Sequence, residues 1–135
     1  LKKNKFLSKE LIRPTKIYVP EILKLIDRKL IHGCANITGG GLEENISRII
    51  PDNLCANIHL NKIKTLKIFK WLKKNGIKED EMLKTFNCSI GFCIIINPKN
   101  IKKVKKYFSK TYQPYVIGKI TKNSKRVKFS GKVNW

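Results

Sequence analysis

Three successive glycines, Gly39, Gly40 and Gly41, are the residues whose type and spacing offer the clearest chemistry. A residue without Cβ reaches left-handed backbone angles, so such a run can aim several amide N–H groups at one point. Thr38 precedes them. The spacing that follows predicts a helix from Leu42 to Ile49. The unpaired donors at its start face the same space as the glycine amides, which suits a phosphate. A plain flexible turn is the reading that three glycines alone leave open.

The elements that would position this turn alternate along the chain. Pro20 fits the first turn of a helix, and Ile22, Leu23, Ile26 and Leu30 recur at helical spacing, so Pro20 to Leu30 is expected to be a helix ended by Gly33. Ala35 to Thr38 reads as a short strand, and Pro51 stops the helix after the glycines. Leu54 to His59 alternates as a second strand. Lys64 to Asn75 reads as a basic amphipathic helix that packs on the sheet and is closed by Gly76, and Glu79 to Thr85 as a short helix with an acidic first turn. Ile90 to Ile96 is continuously apolar, the pattern of a central strand covered on both faces. Pro98 opens a further helix, Tyr115 to Ile120 is a strand, and Val127 to Phe129 is an edge strand guarded by lysine. The first ten residues read as an irregular basic lead-in. The alternation gives an α/β fold with helices on both faces of a mixed sheet.

At 135 residues the chain is one domain's worth. It begins with Leu1 rather than Met, the expectation being a fragment or a chain whose preceding part is absent. No apolar run approaches the roughly 18 residues of a membrane span, so no membrane partner and a cytoplasmic location are expected. The net charge is +21, but only Arg13, Arg28, Arg48 and Arg126 are arginine, and the lysines are spread along the whole chain. That pattern reads as a solvated surface that sticks weakly to polyanions, without specific nucleic-acid binding. Cys34, Cys55, Cys88 and Cys93 lack metal-ligand spacing and lie in or beside apolar stretches. They read as small hydrophobes in a reducing compartment, and no metal site is expected.

Several strings then coincide. Arg13-Pro14-Thr15-Lys16-Ile17-Tyr18-Val19, Ile37-Thr38-Gly39-Gly40-Gly41, Glu44-Asn45-Ile46-Ser47-Arg48 and Glu81-Met82-Leu83-Lys84-Thr85-Phe86-Asn87-Cys88 stand in this order. Together, over residues 11–120, they resemble the C-terminal domain of the phosphoribosylformylglycinamidine cyclo-ligases, also called aminoimidazole ribonucleotide synthetases. The resemblance implies a three-layer α/β/α sandwich over residues 11–135. It also implies an enzyme that uses ATP and magnesium to convert formylglycinamidine ribonucleotide to aminoimidazole ribonucleotide in purine synthesis. Both cofactors would be bound mainly by an N-terminal domain absent from this sequence. This chain alone would then be inactive and would need that nucleotide-binding half in cis or in trans, within a homodimer.

By the same resemblance, Thr38, Gly39, Gly40 and Gly41, with Glu44 and Asn45, would hold a phosphate or the substrate's amidine. Arg48 would pair with a carboxylate or phosphate, or serve as a structural salt bridge. Thr15, Tyr18 and Asn87 would belong to the cleft wall, Asn87 in a mainly structural way together with Thr85 and Phe86. Asn36 stands where the family pattern usually has histidine, so it is the catalytic candidate and also a departure, because an amide cannot do acid–base work near neutral pH. Ser89 replaces a usual glycine. The alternatives are a related ATP-using enzyme such as a selenophosphate synthetase, or a non-enzymatic polyanion-binding module or decayed remnant.

Overall fold

Pro20 starts the first packed helix, as expected, but the helix buries Ile22 and Leu25 while Leu23 and Ile26 of the expected inward stripe stay exposed, and it is shorter than the sequence pattern. In the computed structural model, which describes residues Lys5–Trp135, helix α2 runs Val19–Asp27. Lys29 takes a φ of +53° and reverses the chain there, while Gly33 opens strand β1 (Gly33–Asn36) and does not cap the helix. The irregular lead-in is also corrected within the described residues, because Lys5–Leu11 forms helix α1. Helix α3 (Gly41–Ser47) follows the glycine turn, and β2 (Leu54–His59) has the expected bounds.

A single 3-10 turn, Leu60–Lys62, leads towards α4 (Lys67–Lys74) and α5 (Glu79–Thr85). Leu66 is extended, which delays α4 by three residues against the reading from Lys64. No residue of α4 is buried; Phe69 leans on Phe86 with ring centroids 6.1 Å apart. The expected packing of α4 on the sheet is thus not made. Strand β3 (Phe92–Ile95) is followed by a 3-10 turn at Pro98–Asn100 that runs into α6 (Ile101–Lys105). Strands β4 (Gly118–Lys122) and β5 (Val127–Ser130) complete the chain's regular structure.

The fold is α/β with a mixed sheet. β2 lies between β4, to which it is antiparallel, and β5, to which it is parallel. Val127 to Phe129 is therefore an edge strand, as its lysine implies. β1 and β3 form a separate antiparallel pair, registered Gly33 to Ile95 and Asn36 to Phe92. The apolar run expected to be central is covered on both faces, yet among the described residues it pairs with β1 alone.

Its alternation explains the covering. Cys93 and Ile95 join the main core of Ala35, Ile37, Leu42, Ile46, Ile58 and their neighbours. Ile94 and Ile96 turn the other way, onto a second cluster of Leu25 from α2, Leu30 and Val104 from α6. Helices thus back both sides of the strands. Residues Cys55 and Cys88 are fully buried and Cys34 and Cys93 half-buried, all four as free thiols. Burial pushes the Cys88 thiol up to about 11 and that of Cys93 to about 12, so neither supplies a nucleophilic thiolate at neutral pH.

Before α2 the chain is anchored by one shielded ion pair. Lys16 Nζ donates to Glu21 Oε1 at 2.7 Å, and the two side chains are only 17% and 18% exposed. The same ammonium lies 4.7 Å from the Tyr112 ring centroid and 5.8 Å from that of Tyr18. The hydrogen bond from Lys16 is the main cause that holds the Glu21 carboxyl below its ordinary value of 4.5. A carboxylate whose folded pKa is depressed stabilises the fold above its unfolded pKa, and that contribution is lost as pH falls through the folded value. Glu21→Gln is accordingly expected to lower Tm at pH 7, with the gap to the unsubstituted chain closing as pH falls below the carboxyl's ordinary value of 4.5. Thermal unfolding followed by circular dichroism across that range checks it; a gap independent of pH would refute the ion pair's role.

Candidate functional site

The glycine turn begins where β1 ends. Ile37 N donates to Gly91 O at 3.0 Å, which ties the last residue before Thr38 to the approach of β3. Thr38 and Gly39 are exposed, and Gly41 N turns back to Thr38 O at 3.1 Å. Gly40 caps α3 in the left-handed region with φ +87°, and Gly41 follows at φ +59°. Backbone angles of this kind are why glycine stands here.

A close contact adds a second reason. A Cβ on Gly41 would lie 1.9 Å from Leu83 O and 3.3 Å from Phe86 O. The turn is therefore pressed onto the last turn of α5 and its exit. Gly39 is different, with nothing within 4 Å of the position a Cβ would take. One glycine of the three thus faces open space, and one is locked by a neighbouring backbone.

Asn45 holds the turn from beneath. It is 5% exposed, and its Nδ2 donates to Gly41 O at 2.8 Å and Gly39 O at 3.1 Å. Both bonds are donated by the Asn45 amide to carbonyl oxygens of the turn, so the turn's own N–H groups are not engaged by this side chain. Asn45 is a positioning group whose ligand is the loop itself.

Glu44 lies over the turn. Its Oε2 would be 2.1 Å from a Cβ on Gly40, and its Oε1 accepts from Arg48 Nη2 one helical turn on. Both side chains are more than half exposed, so the pair adds at most about 1 kcal/mol to stability. Arg48 thus makes an i,i+4 ion pair with Glu44 within α3. A carboxylate against Gly40 also changes what the turn can take. A cationic amidine could dock on Glu44 directly, whereas a phosphate at the glycines would have to draw on Arg48 and displace that carboxylate.

Asn36 lies two residues before Thr38, exposed at the end of β1 opposite Phe92. The Tyr18 ring stacks at 5.2 Å from that of Phe92, and its hydroxyl would be 2.2 Å from a Cβ on Gly91. Burial raises the Tyr18 hydroxyl pKa, against the lowering influence of Lys16, which keeps it a neutral hydrogen-bonding group. Tyr18 and Asn36 are thus brought to the same side of the β1–β3 pair, next to the entry into the turn. Thr15 is exposed on the segment before α2, and among the described residues no hydrogen bond joins it to the turn.

Asn87 does local work. Its Oδ1 accepts from Ser89 N at 3.1 Å and its carbonyl from Ile90 N at 2.8 Å, shaping a bend in which Cys88 and Ser89 have φ of +45° and +80°. The left-handed angle at Ser89 fits the position's usual glycine. Its hydroxyl offsets part of the strain by accepting from Leu66 N at 2.7 Å.

Gly91 and the carbonyls of Leu83 and Phe86 are the parts of the site that sequence reading passed over. The first carries a signal of a kind, a glycine beside an aromatic motif. The carbonyls carry none, because backbone contacts between distant segments leave no side-chain pattern.

Taken together these features define an α/β module that presents an exposed, internally braced glycine loop beside a paired carboxylate and guanidinium. A family model described as "AIR synthase related protein, C-terminal domain" matches residues 2–129. The chain belongs to this family. It is similar to the phosphoribosylformylglycinamidine cyclo-ligase of Streptococcus sanguinis (strain SK36), with 44% identity over 119 residues, which cover 87% of this chain and 34% of that protein. The protein of the same name from Streptococcus pneumoniae serotype 4 is 42% identical over the same shares. The chain thus spans about a third of the length of the curated relatives it matches.

Among the described residues no group of three or more His, Cys, Asp or Glu side chains is placed to hold a metal ion. No helix among them is long and apolar enough to cross a membrane.

Proposed function

We propose that this chain is the C-terminal wall of an ATP-dependent cyclo-ligase that closes the imidazole ring of aminoimidazole ribonucleotide in purine synthesis, and that it acts only with a nucleotide-binding half in cis or in trans. The observation that carries the reading is the glycine turn of the matched family, braced by Asn45 and overlaid by Glu44. Ring closure of this kind needs the reacting ends of one substrate held together and the departing phosphate's charge balanced, so positioning supplies most of the rate. In this chain Glu44 receives the substrate's amidine, and Arg48, freed from Glu44, faces the phosphate. Asn36 and Tyr18 hydrogen-bond at the edge of the same space. Magnesium and most ATP contacts belong to the other half, which we take to form a homodimer in the cytoplasm.

The test replaces the matched third of the Streptococcus sanguinis cyclo-ligase with this chain and follows ATP-dependent formation of aminoimidazole ribonucleotide. The chimaera is expected to turn over, the 135-residue chain alone is not, and Glu44→Gln is expected to reduce kcat/KM at least tenfold while lowering Tm by no more than about 4 °C. A folded chimaera with no activity, or one indifferent to Glu44→Gln, would count against the reading.

A second reading has its own observation. From Met82 to Trp135 the sequence holds 13 lysines and arginines and no acidic residue. Of these only Lys125 and Arg126 meet a carboxylate among the described residues, Glu43 and Asp52, so the segment favours polyanions. A titration with RNA at physiological salt separates the two: sub-micromolar, steeply salt-dependent binding favours the polyanion module, weak binding the cyclo-ligase.

A further inference from the structure

Helix α2 carries more apolar surface than the domain covers. Ile22 and Leu25 are buried, while Val19, Leu23 and Ile26, one stripe at helical spacing, are 58%, 53% and 48% exposed. At 100° per residue the five side chains span an arc of about 160°. The fold uses less than half of that arc. Leu11, Ile12 and Ile17, on the same stretch of chain, are 60%, 82% and 72% exposed. Helix α1 buries none of its residues, and an open hollow of about 530 Å3 lies against Lys9, Glu10, Ile12, Arg13 and Pro14. Monomeric soluble proteins rarely leave apolar patches larger than roughly a few hundred Å2 without a partner.

We infer that Leu11, Ile12, Ile17, Val19, Leu23 and Ile26 form the docking face for the polypeptide that makes up the other two thirds of a cyclo-ligase. The occupant follows from three facts. The relatives extend well beyond the matched region, of which this chain supplies 34% of their length. The matching family model is a C-terminal domain, so that remainder precedes the matched residues. The six exposed side chains all lie at residues 11–26, the end of the domain that the remainder enters. The partner surface must be apolar where it meets these six side chains, with room for the charges of Lys9, Glu10 and Arg13 beside Ile12. The inference rests on the reading of the chain as a cyclo-ligase part, and goes beyond it by assigning the face.

Hydrogen exchange of residues 11–26 tests it, measured in the 135-residue chain and in the Streptococcus sanguinis chimaera. The segment is expected to exchange at least tenfold more slowly in the chimaera. The double substitution Ile17→Gln with Leu23→Gln is expected to return it to the rate of the isolated chain, while leaving that chain's own Tm unchanged. Equal exchange in both contexts would overturn the inference. So would protection in the isolated chain that vanishes on dilution, which would make a second copy the occupant. If the chimaera does not fold, the two parts are co-expressed as separate chains; co-purification that the double substitution abolishes supports the face, and its absence with the unsubstituted strip refutes it. A chimaera protected at residues 11–26 but inactive would sink the enzymatic reading and leave the face standing. An active but unprotected chimaera would do the reverse.

Discussion

Gly41→Ala is expected to lower the stability of this domain by about 3 kcal/mol or more, whereas Gly39→Ala, two residues earlier, should change it by under about 0.5 kcal/mol. The difference comes from two costs that coincide at one position. Gly41 sits at φ +59°, where a side chain costs about 1–3 kcal/mol, and its new Cβ would meet Leu83 O at 1.9 Å. Relief requires α3 and the end of α5 to separate, which unpacks Leu42 and Met82, at 1% and 0% exposure. Gly39 meets nothing within 4 Å. For a domain of this size the loss at Gly41 corresponds to a fall in Tm of roughly 10 °C. Thermal denaturation of the two variants side by side decides it; equal shifts would mean that the glycines serve only backbone flexibility.

Asn45 carries the second large effect. Its two hydrogen bonds hold the carbonyls of Gly41 and Gly39, the former buried. Asn45→Leu keeps the branched shape and removes both side-chain bonds, leaving the Gly39 carbonyl without this partner and the buried Gly41 carbonyl with its helical bond alone, at a cost of about 2 kcal/mol. Asn45→Asp should be worse near neutral pH, because it places a carboxylate against two acceptors. Only its protonated form can donate. The folded pKa of that aspartate is then raised above its unfolded value, so the variant should regain stability as pH falls from 8 to 5. Urea unfolding at the two pH values checks the sign. An aspartate variant equally stable at both would show that Asn45 makes no bond to the turn that matters.

How much of this was legible in the sequence differs from residue to residue. β2 and α5 could be read to their ends, because alternation over Leu54–His59 and the acidic first turn of Glu79–Thr85 are local signals. The Glu44–Arg48 pair is likewise local, at the i,i+4 spacing that a helix brings together. The end of α2 was missed because Lys29 adopts a left-handed angle that nothing in its type demands.

The division of the strands into two sheets was beyond reach for a related reason. Ile90 to Ile96 has the composition of a central strand, but its partners are fixed by packing between segments some 60 residues away, as in the β1–β3 register. The ion pair of Lys16 with Glu21 crosses the start of α2 at a spacing no helix or strand template contains. At the glycine turn, sequence suggested an anion cradle. Structure adds that Gly41 is demanded by the α5 backbone and that Glu44 already occupies part of the cradle.

The placement of β5 has a consequence for how the protein is made. β2 is complete once residue 59 is synthesised, yet its parallel partner β5 begins only at Val127, and Val133 and Trp135 close the same core. As the chain leaves the ribosome at about 5–20 residues per second, several seconds pass in which one edge of β2 and the apolar face of α3 have no cover. Parallel pairing between distant segments is slow even afterwards. The nascent domain therefore keeps a strand edge open for that interval, and residues 127–135 act as the latch that ends the exposure.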